Sequence, residues 1–127
     1  MDYRFRRRTD LSFEDAVRAV TKSLAKEGFG IVSEVNITDT LRKKLGTEFR
    51  PYKILGACNP QFALHAIEAE PDIGVMMPCN VVVQDYGDRV EVAAIDPLAV
   101  MKTVGNADLT EFATTVSARL KRAIESF

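Results

Sequence analysis

Leu109, Phe112, Ala113, Val116, Leu120 and Ile124 recur at helical spacing through the C-terminal stretch. A helix apolar along one stripe and polar elsewhere has to cover that stripe with another layer. Asp108, with Glu111 three residues on, forms a capping-box-like start for it. Near the other end, Phe13, Ala16, Val17, Val20 and Leu24 make a second stripe. Ser12 is placed to cap the amide of Asp15, the acidic Glu14 and Asp15 suit the positive helix end, and Gly28 closes the helix. Two one-sided helices call for a sheet to lie on.

The segments before the first helix and between the two helices supply the strands. Met1 to Arg8 alternates, with Tyr3 and Phe5 on one face and Arg4, Arg6 and Arg8 on the other. That arginine stripe reads first as a solvated sheet face; the sharper alternative, an anion-binding surface, has no support from a net charge of -1. Phe29 to Ile37 is a second strand, with Phe29, Ile31, Val35 and Ile37 on one face. A short helix capped by Thr38 or Asp39 follows, through Leu45 to Gly46. Tyr52 to Cys58 is the third strand: Tyr52, Ile54, Gly56 and Cys58 share one face, and Lys53, Leu55 and Ala57 the other. Ile73 to Asp85 is the fourth, broken, bulged or at an edge where Pro78 donates no ladder hydrogen bond. Tyr86-Gly87-Asp88 is a hairpin turn into a fifth strand, Arg89 to Ile95. Asp96-Pro97 opens another short helix. Hairpins and segregated elements argue for a single α+β domain over residues 1–127. Its five-stranded, mostly antiparallel sheet is covered by an N-terminal and a long C-terminal helix, with short inserted helices.

The 46% hydrophobic and 28% charged content is enough for a core without disulfide or metal staples. Near-zero net charge gives no case for nucleic acid or an anionic membrane as partner. The apolar runs fall far short of the roughly 20 residues that span a bilayer. Two cysteines make no disulfide framework, and charged residues precede any apolar run, so a reducing cytoplasm is the expected compartment.

Chemistry concentrates in Tyr52 to Val83, which holds both cysteines, each followed by asparagine, and the only histidine. Asn59-Pro60 is a helix start, Asn capping and Pro fitting the first turn. That helix runs to about Glu70, with Pro60, Ala63, Leu64 and Ile67 as its apolar face and His65 nearly opposite. Amides freed at a helix start stabilise a nearby thiolate or anion. The expectation is one pocket lined by Cys58, Asn59, Cys79 and Asn80, brought together by neighbouring antiparallel strands. The competing reading is that the thiols are packed as small hydrophobes and Asn59 is only a cap. The cysteines are not a CxxC pair, single scattered ligands nominate no metal, and no glycine-rich nucleotide motif nominates a cofactor.

GFGIVSEVNITDTLRKKLG, YKILGACNP, EAEPDIGVMMPCNVVV and AIDPLAVM together resemble domain-of-unknown-function family 302 over nearly the whole chain. The resemblance implies a fold of the TATA-box-binding-protein-like class and association as a dimer. It implies no activity, substrate or catalytic residue, and a shared fold does not bring DNA binding. The function expected is that of a small-molecule-binding or regulatory homodimer without catalysis of its own. The alternatives are a thiol-dependent enzyme or redox protein using Cys58 or Cys79, and a structural interaction module.

Overall fold

The structure, a computed structural model, describes residues 2–127. The described residues begin with β1 (Arg4–Thr9), α1 (Phe13–Lys26), β2 (Gly30–Asn36), α2 (Ile37–Leu45) and β3 (Tyr52–Cys58). They continue through α3 (Pro60–Ala69), a 3-10 helix (Pro71–Met76), β4 (Cys79–Asp85), β5 (Val90–Ile95), α4 (Pro97–Val104) and α5 (Ala107–Glu125). The five strands form one antiparallel sheet in the order β1-β5-β4-β3-β2. The first strand thus starts later than the sequence predicts, and Met1 lies outside the described residues.

Strand alternation sorts the sheet into two faces. Leu55 and Ala57 of β3, Val81 and Val83 of β4, and Val92 and Ala94 of β5 all point to the side covered by α1 and α5. There they meet Val20 and Leu24 of α1 and Leu120 and Ile124 of α5, and all are essentially fully buried. Burying each large aliphatic side chain contributes about 1.5–3 kcal/mol. The Ser23 hydroxyl donates to the Ala123 carbonyl at 2.6 Å and fixes α1 against α5 where both are buried. The opposite face carries Arg4, Arg6, Ala93, Val82, Gln84, Tyr52 and Ile54, which are half-buried or exposed.

Several local expectations are corrected. In β2 the register shifts between Ile31 and Ser33, so Val32 is an extra, bulged residue. Ile31 pairs with Ala57 on the helix side, but Val35 pairs with Ile54 on the open side, so the two do not share a face. Helix α2 is capped by Asn36, which accepts from Asp39 N at 3.0 Å, and not by Thr38 or Asp39. The Thr38 hydroxyl instead donates to the Arg50 carbonyl and accepts from Tyr52 N, tying α2 to the start of β3. Residues 73–76, predicted as strand, belong to the 3-10 helix, and Val75 is 87% exposed. Pro71 sets that turn, and Pro78, without an amide hydrogen, marks where the ladder can begin only after it. Helix α5 is capped by Asn106, not Asp108; Asn106 Oδ1 accepts from Asp108 N at 3.1 Å while its Nδ2 donates to the Ala69 carbonyl.

Helix α3 is also rotated from its expected face. Leu64 and Ile67 are exposed, and Phe62 and Ala66 turn inward. The reason is aromatic packing: Phe62 meets Phe112 edge-on at 5.0 Å and tilts against Phe29 at 6.5 Å. Such pairs add roughly 0.5–1.5 kcal/mol beyond the area they bury.

Candidate functional site

Strand β3 ends at Cys58, and the chain turns at once into α3. Asn59 Oδ1 accepts from Gln61 N at 3.1 Å and from Phe62 N at 3.2 Å, satisfying two amides of the helix start. Its amide nitrogen lies against Gly28, where a Cβ would fall 2.7 Å away; Gly28 also has φ +88°, a conformation that favours glycine. We expect Asn59→Ala to cost about 1 kcal/mol, the usual cost of a lost N-cap, read as a lowered urea midpoint at unchanged slope.

The turn brings α3 over the end of the sheet, and a cavity of about 60 Å³ lies beneath it. Phe62, Ala63 and Ala66 form its lid from α3, Phe112, Ala113 and Val116 close it from α5, and Pro97 and Met101 come from α4. Phe29, Ala57, Met77, Pro78 and Cys79 complete it from the sheet side. Its lining is almost wholly carbon and sulfur.

Cys58, Asn59 and Cys79 all border this cavity. Cys79 pairs directly with Ala57, so it shares the helix-covered face with Leu55 and Val81. Cys58 follows Ala57 by one residue and pairs with Gly30; it reaches the boundary as the last residue of its strand. Both thiols are free and half-buried. Burial pushes the Cys79 thiol up to about 11, and the nearby charge of Cys58 acts in the same direction. Asn80 is elsewhere: it pairs with Gly56, is exposed, and faces the open side of the sheet. Alternation along β4 separates it from its neighbour Cys79.

The sequence reading did not nominate Phe29, Phe62, Met77, Met101 and Phe112 as lining. Phe29, Met77, Met101 and Phe112 each carried a signal as members of apolar patterns; what they surround depends on where α3 lands. His65 is exposed on α3 and stacks on Phe112 at 4.6 Å. Among the described residues, no cluster of His, Cys, Asp and Glu is arranged to hold a metal ion, and no helix is long and apolar enough to cross a membrane.

Residues 5–127 match the family described as domain of unknown function DUF302. The chain belongs to this family. A solved structure described as an uncharacterized conserved protein DUF302 from Bacillus stearothermophilus is similar to it. That structure has a TM-score of 0.91 and 24% identity, and the match covers 98% of each chain. At that identity the likeness shows that this DUF302 chain shares the fold, and a shared fold assigns no chemistry. No curated protein matches the chain.

Proposed function

We propose that this DUF302 chain is a single-domain, small-molecule-binding homodimer of the cytoplasm that carries out no catalysis of its own. Its site is the cavity beneath α3 and α5. The observation that carries this reading is an apolar, sulfur-bordered cavity at the break before β4, next to the main core. A cavity of about 150 Å³ lined by aliphatic and aromatic side chains takes up benzene. At about 60 Å³ this one suits a smaller apolar group, such as a short alkyl or alkylthio moiety. The order of strand, helix, four strands and helix, apart from the inserted helices, fits the TATA-box-binding-protein-like class.

Titration with dimethyl sulfide, followed by NMR of the methionine methyl groups, tests the cavity. Met77 and Met101 are expected to shift together, and Ala63→Leu, which fills the space from α3, is expected to abolish both shifts. If neither methyl responds at the solubility limit of the probe, the cavity is not a binding site. The dimer has separate support: Leu64 and Ile67 on α3 and Val75 and Met76 in the adjoining 3-10 helix are large apolar side chains left exposed on neighbouring elements. Such a patch is a contact surface in many proteins. Sedimentation of wild type as a dimer and of Leu64→Glu as a folded monomer is the expected result.

A further inference from the structure

On the sheet face away from the helices lies a second concavity, a groove of about 370 Å³. Its size falls in the range of about 300–1,000 Å³ typical of small-molecule sites. It is built by register. Arg6 pairs with Ala93 and Ala93 with Val82, so one row across three strands runs from a guanidinium to a small residue to an aliphatic one. The next row runs from Arg8 through Glu91 and Gln84 to Tyr52. Ala93 is the smallest side chain of the first row and lines the groove. The chain has three tyrosines, at positions 3, 52 and 86, and all three line this groove.

The charge on this face is positive although the chain as a whole is not. Arg4, Arg6, Arg8, Arg50 and Arg89 stand on or around it, against the carboxylates of Asp2, Asp88 and Glu91, a local balance of five minus three. Arg4 is held by Asp2 at 2.8 Å, Arg89 by Asp88 at 2.8 Å, and Glu91 is shared by Arg8 at 3.4 Å and Arg89 at 3.7 Å. Arg50 lies over Tyr86 and donates to Gln84. Among the described residues the Arg6 side chain makes no ion pair or hydrogen bond, although its charge acts on Asp2, and it sits where the apolar row ends.

We propose that this groove binds a small organic anion with a flat apolar body, its oxyanion held by Arg6 and the tyrosine hydroxyls and its body lying on Ala93 and Val82. The proposal is independent of the cavity described above, which lies across the sheet. Arg4 lies over one face of Tyr3 at 4.7 Å, and Tyr86 carries both Arg89 at 4.3 Å and Arg50 at 4.6 Å. These two rings are therefore poor platforms for stacking the bases of a nucleic acid strand, which needs open aromatic faces. A second copy seated face to face would bring the same positive surface against itself, which opposes association. A small anion meets the charge and leaves the arginine–tyrosine pairs in place.

The test uses the full chain with benzoate, phenyl phosphate and, as the neutral control, benzyl alcohol, read by NMR of the tyrosine rings and the Ala93 methyl group. Both anions are expected to shift Tyr52, Tyr86 and Ala93, with benzyl alcohol at least about tenfold weaker, since hydrogen bonds to charged groups are the strong ones. The ratio of benzoate to phenyl phosphate affinity then decides between a carboxylate and a phosphate ligand. Arg6→Gln, at an exposed position, is expected to weaken the anions and leave benzyl alcohol unchanged. Equal binding of the alcohol, or no effect of Arg6→Gln, overturns the proposal. So does a shift of Ala93 that follows protein concentration, which would assign the face to a second copy, or tighter binding of a short oligothymidylate than of phenyl phosphate.

Discussion

Gly56→Ala is expected to destabilise the protein by about 3 kcal/mol, the upper end of what overpacking by one methyl group costs, and so to lower Tm by roughly 10 °C. A Cβ at this position would collide with Ser33 Oγ and would sit 2.6 Å from Pro78 Cγ. The Ser33 hydroxyl can swing aside; the proline ring cannot. Three features converge here. The bulge at Val32 sets Ser33 opposite Gly56, Asn80 pairs with Gly56 from the other strand, and Pro78 packs over it as the chain enters β4. A double-mutant cycle separates them. Ser33→Ala alone should be close to neutral at its exposed position. In that background Gly56→Ala should recover about 1 kcal/mol, because the clash with Pro78 remains. Urea midpoints at constant slope are the measurement. An unchanged midpoint in the single mutant would mean that the β4 entry is loose enough to move away. Because Met77, Pro78 and Cys79 also floor the cavity, the same variant should disturb the methionine methyl shifts by pushing on Pro78.

Gly56 also illustrates what can be read from the chain and what cannot. Its alternation with Tyr52, Ile54 and Cys58 is plain in the sequence, as are α1, α5 and the hairpin, because each repeats one period over many residues. The bulge is silent: an extra Val32 looks like any other valine, and it reverses the faces of everything after it in β2. Val75 and Met77 alternate as a strand would, yet the two prolines on either side turn residues 71–76 into a 3-10 helix. In α3 the more apolar Leu64 and Ile67 lose to Ala63 and Ala66, since the contact of Phe62 with Phe112 decides the rotation and the sequence gives no hint of who the partner is. The site follows the same rule. Both Cys-Asn steps mark real breaks, and Cys58, Asn59 and Cys79 do border one cavity. Asn80 does not, because one step along a strand is a change of face. The tyrosine groove was out of reach altogether: positions 3, 52 and 86 become neighbours only through the strand order β1-β5-β4-β3.

In a Cys58→Ser background, Cys79 is expected to react with iodoacetamide at pH 8 roughly 10- to 100-fold more slowly than an unburied cysteine, since the thiolate is the nucleophile and burial, the larger cause of the shift, persists. The thiol is carried from 9.0 to about 11, first by desolvation and secondarily by the charge of Cys58. The same shift makes stability depend on pH. In the unfolded chain the thiol loses its proton near 9.0, while the native state keeps it until about 11. Between those values the folded protein binds more protons, so stability falls as pH rises, by at most about 1.4 kcal/mol per pH unit from this group. The contribution is complete below pH 9 and gone above about 11. Comparing urea midpoints of Cys58→Ser and the double variant Cys58→Ser/Cys79→Ala across that window removes the background of lysine and tyrosine titration. The first should lose stability more steeply than the second. Two parallel curves, together with alkylation at the rate of a free thiol, would place Cys79 in water and revive a thiolate-based activity. A slow thiol and a steeper curve leave Cys79 as packed sulfur at the cavity wall and not as a nucleophile ready at neutral pH.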